Sequence, residues 1–142
     1  MYIILENLYK AVVDPKFDRD LFTLADGGTV GIDWNLRPDG SGRPVKGDTR
    51  PILLLYPGIS GETNNLYTLN VAWEAEKHGY VCGTVIFRGT NFVQITSGKL
   101  NSAVSWPDAT EICDYVHNAY VLDKEGTKTR SLYAYGCSLG AQ

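Results

Sequence analysis

Leu132-Tyr133-Ala134-Tyr135-Gly136-Cys137-Ser138-Leu139-Gly140-Ala141-Gln142 is an apolar, aromatic segment that runs straight into a serine flanked by glycines. Gly136, Ser138 and Gly140 stand in the spacing G-x-S-x-G, that of a nucleophile elbow, a sharp strand-to-helix turn that exposes one serine. The spacing has a physical reason. Such a turn strains the serine backbone and brings the residues two before and two after it close together, and glycine removes the side chains that would collide there. A helix after the turn points its first N–H groups at the serine and favours negative charge. A Gly/Ser turn without chemistry has the same letters, so on the motif alone both readings stand. The buried-strand pattern ahead of it is the context an elbow requires.

Upstream, strand-like and helix-like segments alternate. In Leu21 to Trp34, Phe22 and Leu24, then Val30, Ile32 and Trp34, alternate with small or polar residues around Asp26-Gly27-Gly28. This reads as two antiparallel strands joined by a tight turn. Leu36 to Arg50 is rich in Pro, Gly and Asp and reads as a solvated surface loop, its Arg37, Arg43, Lys46 and Arg50 partly offset by Asp39 and Asp48. Pro51 to Tyr56 is a continuous apolar run, as in a strand covered on both faces. It empties into the glycine loop Pro57-Gly58-Ile59-Ser60-Gly61.

A helix is expected from about Asn65 to His78, with Thr63 or Asn64 as cap, Leu66, Leu69 and Trp73 on one face, and Gly79 as its stop. Tyr80 to Phe87 is the next β-rich run, ending at Arg88-Gly89-Thr90. A second helix opens at Ser105-Trp106-Pro107-Asp108, where Ser105 and Asp108 have capping-box spacing and Pro107 falls in the first turn. Ile112, Tyr115, Val116 and Ala119 form its apolar stripe. Ser131 to Tyr135 is the strand feeding the elbow. Residues 1–20 read as an N-terminal extension, with a short helical piece around Leu5 to Val13 that Pro15 ends. Residues 21–142 read as one α/β unit, a mostly parallel sheet with an N-terminal antiparallel hairpin and helices on both faces.

With 142 residues, 44% of them hydrophobic and 20% charged, the chain has the composition of a globular domain. A net charge of −3 gives no basic surface for nucleic acid. Cys82, Cys113 and Cys137 are too few and too scattered for a disulfide framework or a zinc site, which places the chain in a reducing compartment. The opening Met1-Tyr2-Ile3-Ile4-Leu5 is too short to span a bilayer. The glycines fit neither a dinucleotide loop nor a nucleotide-phosphate loop.

Five stretches in register, DGGTVGIDW (26–34), LLLYPGISGETNNLY (53–67), VIFRGT (85–90), SWPDATEICDYV (105–116) and YGCSLGAQ (135–142), resemble an α/β hydrolase. More closely they resemble the esterase and lipase branch that contains the embryogenesis-associated and abhydrolase-domain proteins. The resemblance implies a serine ester hydrolase acting on carboxylic esters, acylglycerols or phospholipids through an acyl-enzyme, with a small-molecule ester or lipid substrate and no cofactor or metal. It implies that Ser138 is the nucleophile and that the backbone N–H of Leu139 is one oxyanion-hole donor. The second donor comes from Gly58-Ile59, with Ile59 the better choice. Pro57-Gly58 stands where many members of the wider superfamily carry His-Gly, a change that leaves the backbone donors in place.

In this fold the triad runs Ser, acid, His along the chain. The expectation is therefore an N-terminal part of a hydrolase domain, its acid, base, later strands and cap lying beyond Gln142. Neither His78, at a helix end, nor His117, beside an apolar stripe, fits the base. Asp108 reads as a helix cap, Asp33 has no visible partner, Arg88-Gly89 reads as a structural turn, and Cys137 is expected to pack beneath the elbow. The resemblance further implies a cytoplasmic location, or a cytoplasmic-side membrane association through an anchor preceding the domain. Oligomeric state is not legible. The alternative reading is a non-catalytic fragment or interaction module with the hydrolase fold.

Overall fold

The computed structural model describes residues 16–37, 39–45, 47–59, 61–102 and 106–141. β1 (Phe17–Thr23) and β2 (Thr29–Asn35) are the expected hairpin, antiparallel with Phe22 opposite Val30. Gly27 takes φ +82°, a left-handed value that suits glycine, and the Gly28 N–H donates to Asp26 Oδ1 at 2.9 Å. β1 begins at Phe17, inside the stretch read as an extension, where Arg19 pairs with Asp33 on β2 and Asp18 and Asp20 are held by Arg43 of the loop after β2. The helical piece expected around Leu5 to Val13 lies outside the described residues.

The remaining strands are β3 (Ile52–Tyr56), β4 (Val81–Ile86) and β5 (Leu132–Gly136). The five form one sheet in the spatial order β1-β2-β4-β3-β5. β2 meets β4 antiparallel, while β4, β3 and β5 are parallel. A hairpin thus edges a parallel block whose three strands all end at the same carboxyl edge. β4 is buried along its whole length, as its run of apolar and small residues requires.

Alternation on β3 divides the core in two. Ile52, Leu54 and Tyr56 face one side with Val30, Ile32, Trp34, Val85, Ile112, Val116 and Val121, all buried. Leu55 faces the other with Ala72 and Cys82. Each large aliphatic side chain so enclosed stabilises the fold by roughly 2 kcal/mol. The helices α1 (Leu66–Lys77) and α2 (Trp106–Val116) cover these two faces, which is the layering expected.

The helix ends depart from expectation in instructive ways. α1 has Asn65 as its N-cap residue, with no side-chain cap bond. Thr63 turns inward instead, to a buried partner described below. The buried face of α1 centres on Thr68, Leu69 and Ala72, leaving Leu66 and Trp73 half-buried. Its C-terminus follows expectation. Gly79 has φ +85°, its N–H donates to Glu76 O at 3.0 Å, and Tyr80 N–H donates to Ala75 O at 3.1 Å. These are the two bonds of a Schellman stop.

Ser105 lies outside the described residues, and Asp108 serves an ion pair (below). α2 runs on into a wide π turn, His117–Val121. That turn moves the next inward position from Ala119, which is exposed, to Val121, which is fully buried.

Candidate active site

Three loops leave the carboxyl ends of β3, β4 and β5. The third is the elbow. Ser138 takes φ +54°, a left-handed value that few side-chain-bearing residues adopt, and its side chain is exposed. The glycines on either side explain how the turn closes. A Cβ at Gly136 would lie 2.2 Å from Gly140 O, and one at Gly140 would lie 2.1 Å from Tyr56 O and 2.6 Å from Pro57 O. The residues two before and two after the serine therefore touch, as the spacing predicts, and the turn is pressed onto the end of β3. The Cys137 N–H completes the join by donating to Tyr56 O at 3.0 Å. After the serine the backbone forms a 3-10 turn, Ser138–Ala141. Cys137 is half-buried, more open than the core position expected for it.

The first loop faces the serine. A methyl group at Gly58 would sit 3.2 Å from Ser138 Cβ and 3.7 Å from its Oγ, so the missing side chain at Gly58 is what lets the loop lie alongside the hydroxyl. Gly61 N–H donates to Gly58 O at 2.9 Å and closes the loop as a turn. The Gly58 N–H donates to Tyr67 Oη at 3.1 Å. Among the described residues, no hydrogen bond occupies the N–H of Ile59, whose side chain is 80% exposed. Tyr67, on the first turn of α1, is a positioning residue that sequence reasoning did not find. Its only signal was a tyrosine near the loop in an otherwise ordinary helix start.

A second network missed in the sequence fixes the approach to α1. Asp33 on β2 is fully buried. It accepts from Arg19 Nε at 2.6 Å and Nη2 at 2.8 Å, and from Thr63 Oγ1 at 2.6 Å. The residue read as partnerless thus ties β1, β2 and the segment ahead of α1 together, which is why Thr63 does not cap the helix. Arg19 also donates to Asn91 O at 2.7 Å, drawing in the loop that follows β4. The Asp33 pair holds the Arg19 guanidinium above its ordinary value, against burial.

The second loop carries Arg88, which is 3% exposed. It grips Asp108 with two bonds, Nε to Oδ2 at 2.7 Å and Nη2 to Oδ1 at 2.8 Å, and reaches Asp26 Oδ2 at 3.0 Å. Asp108 is therefore the counter-ion of a buried arginine, and the Ser105 half of the expected capping box lies outside the described residues. The structural role expected for Arg88-Gly89 takes the form of a clamp between the hairpin turn, β4 and α2.

The two histidines lie at the other edge of the sheet. α1 starts from the carboxyl end of β3 and returns over 12 residues, about 18 Å, before β4 begins. His78 is therefore at the amino edge, exposed, with Nε2 3.4 Å from Glu74. His117 begins the π turn at the far end of α2. The structure does not bring either of them to Ser138. Among the described residues no three His, Cys, Asp or Glu side chains form a group suited to a metal, and no helix is long and apolar enough to cross a membrane.

No family model matches the chain. Similar proteins are abhd-3.2 of Caenorhabditis elegans, 30% identical over 82% of this chain and 30% of its own length, and the embryogenesis-associated protein EMB8 of Picea glauca, 30% identical over 89% and 26%. Phospholipase ABHD3 of Mus musculus is 28% identical over 74% of this chain and 25% of its own. The chain thus spans about a quarter to a third of the length of these relatives. Two solved structures share its fold. The Pyrococcus furiosus esterase Pf2001 superposes with TM-score 0.62 at 16% identity, over 93% of this chain and 46% of its own. An α/β serine hydrolase homologue from Coxiella burnetii superposes with TM-score 0.60 at 18% identity, over 87% and 53%.

Proposed function

We propose, for a chain that belongs to the α/β-hydrolase superfamily, that Ser138 is the nucleophile of a serine ester hydrolase. One observation carries this reading. A side-chain-bearing serine is held at φ +54° on a turn that only glycines at 136 and 140 permit, with its hydroxyl exposed against the backbone of Gly58. Such strain costs on the order of 1–3 kcal/mol and persists where the surroundings enforce it. In the proposed reaction Ser138 Oγ attacks the ester carbonyl and forms a tetrahedral oxyanion, and collapse expels the alcohol and leaves an acyl-enzyme that water hydrolyses. The N–H groups of Leu139 and Ile59 receive the oxyanion, each donor contributing roughly 3 kcal/mol in comparable sites. Ile59 is favoured over Gly58 because the Gly58 N–H is committed to Tyr67. The general base and its acid are supplied by parts of the protein other than His78 and His117.

The substrate class proposed is a carboxylic ester of lipid type. The names of the similar proteins support it, a phospholipase and an esterase among them. Ile59, 80% exposed beside the serine, would offer an apolar contact to an acyl chain. The test is labelling of the full-length protein with a fluorophosphonate probe. The expected result is one labelled site that disappears in Ser138→Ala while the fold is kept. A folded full-length protein that does not label, or a Ser138→Ala variant that still does, overturns the reading.

A further inference from the structure

The loop after β4 holds an aromatic ring out in solvent on a strained backbone. Phe92 is 97% exposed and takes φ +66°, directly after Asn91 at φ +43°. A left-handed backbone is unfavourable for a bulky side chain, and a glycine there would relieve it. The surrounding bonds enforce the conformation. The Thr90 N–H and Oγ1 donate to Phe87 O at 3.1 and 2.8 Å, the Val93 N–H donates to Thr90 O at 2.8 Å, and Arg19 Nη1 donates to Asn91 O at 2.7 Å. Val93, the next residue, is buried, so the exposure of Phe92 is built into the loop. Strain and exposure both cost stability, and nothing among the described residues offsets them at this ring.

Other apolar side chains are exposed at the same edge of the sheet. Ile95 is 57% exposed and Leu100 64%, and Ile59, on the loop after β3, is 80% exposed. Residues 96–99 lie against the hairpin turn, where Thr96 Oγ1 donates to Gly27 O at 2.7 Å and Lys99 Nζ stands 3.0 Å from Asp26 Oδ2. That turn is itself at the carboxyl edge, since β2 runs antiparallel to β4 with Gly31 opposite Ile86. The loops after β3 and β4 thus leave apolar tips in solvent at the edge that carries Ser138.

What stands between these tips selects the partner. Gln94 and Thr96 are exposed and uncharged. Residues 87–107 contain no Asp or Glu. Their two cations are Arg88, which is buried, and Lys99, whose side chain is 72% exposed. Asp26 is held between those two cations, and Glu62 is an exposed acid on the loop after β3. A dry protein contact would strand the amide and hydroxyl groups that alternate with the apolar tips. A lipid interface does not, because apolar tips enter the acyl region while polar groups and an ammonium stay among hydrated, partly anionic head groups.

We propose that the loop after β4 docks on a lipid surface, with Phe92 as the inserted ring, Ile95 as a second apolar contact and Lys99 among the head groups. The contact goes beyond the esterase reading and does not require Ser138 to be a nucleophile. Where both hold, it brings the elbow to the layer that contains a lipid ester.

The test uses full-length Phe92→Trp protein and vesicles of phosphatidylcholine and phosphatidylglycerol in equal parts, made with and without bromine on the acyl chains. Tryptophan emission is read after subtraction of the wild-type signal. The introduced indole should emit as a solvated one in buffer, shift to the blue on vesicles and be quenched by the brominated chains. Because the readout is local to the loop, any other membrane attachment of the protein does not produce it. Ile95→Trp supplies a second reporter on the same loop. In the Phe92→Gly background the equilibrium constant for its immersion, read from quenching, should be about tenfold lower, as removal of one buried aromatic side chain gives. The urea midpoint of Phe92→Gly should be unchanged or higher, since glycine fits φ +66°. Ser138→Ala should leave all of these signals as they are, so the docking and the nucleophile fail separately. An indole at position 92 that is already blue-shifted without vesicles would show another part of the protein covering it, and overturns the proposal. So does an indole that brominated lipid does not quench, or a Phe92→Gly variant that lowers the midpoint and leaves immersion unchanged.

Discussion

Gly140→Ala is the sharpest perturbation of the elbow. The added methyl would meet Tyr56 O at 2.1 Å and Pro57 O at 2.6 Å, and both are backbone atoms at the end of β3 that no side-chain rotation can clear. Reaching even a 3.0 Å contact requires the turn to lift off β3 by about 0.9 Å, which stretches the Cys137 N–H bond to the same Tyr56 carbonyl. Overpacking of this kind costs about 1–3 kcal/mol of stability. The same lift moves Ser138 relative to the Gly58 loop by close to an ångström, and a misplacement of that size costs about a hundredfold in rate. Two glycines are the controls. At Gly58 a methyl meets Ser138 Cβ at 3.2 Å, a tight contact that should slow bulky probes with little loss of stability, and at Gly98 a methyl meets nothing within 4 Å. The assay is the rate of fluorophosphonate labelling of full-length variants beside their urea midpoints. Labelling of Gly140→Ala at the wild-type rate, with an unchanged midpoint, would refute the reasoning that the elbow is seated by backbone contact on β3.

Arg88→Met should destabilise the protein by roughly 3–5 kcal/mol in urea unfolding, since it strands Asp108, 8% exposed, without its partner. The double variant with Asp108→Leu should recover much of that loss, and a double variant no better than the single would argue against the pair. Hydrogen bonding from Arg43 holds Asp18 below its ordinary value of 3.8, burial opposing. A depressed acid stabilises the fold above its unfolded pKa and loses that contribution as pH falls through the folded one, so stability should drop between about pH 5 and pH 2. Asp18→Asn should flatten that part of the profile, and an unaltered slope would exclude the pair as its source. Burial pushes the Cys82 thiol up to about 12, so at pH near 8 iodoacetamide should spare it while reacting with the half-buried Cys113 and Cys137. Peptide mapping that finds Cys82 modified first would show the α1 face to be open.

What was legible in the sequence is what depends on near neighbours. The hairpin turn at Asp26-Gly27-Gly28, the Gly79 stop and the continuous run of β3 each follow from a few adjacent residues whose backbone preferences agree. The wide turn at His117–Val121 was not legible, because the α-helical stripe through Ile112 and Val116 gives Ala119 as the next inward residue. Only the packing of Val121 and Tyr120 against β2 selects the other phase, and Tyr120 stacks edge-on to Trp34 at 5.4 Å. The loop read as solvated is largely exposed, but two of its arginines have partners that the reading did not give: Arg43 forks onto Asp18 with two bonds at 2.6 Å, and Arg50 grips Asp48. Partners 25 residues apart leave no periodic trace.

The candidate site divides along the same line. Local spacing alone gives the Gly136–Gly140 contact, because the geometry of the elbow is contained within five residues. The depth at which the opposing loop sits is not contained in any short window. It is set by Thr63 reaching Asp33, which Arg19 neutralises from the neighbouring strand, and by Tyr67 holding the Gly58 N–H. An aspartate between Ile32 and Trp34 on a buried strand was itself the clue. A carboxylate at a fully enclosed position must be paired, and its partner must come from an element that the strand alone does not name. The buried charged residues among those described are Asp20, Asp33, Arg88, Asp108 and Arg130. Asp33 and Arg88 have their counter-charges within hydrogen-bond reach and brace the loops of the carboxyl edge. Arg130, at the opposite edge, has Val45 O at 2.9 Å and its nearest described carboxylate, Asp48, only at 3.7 Å, so it ties down the loop backbone without a hydrogen-bonded counter-charge.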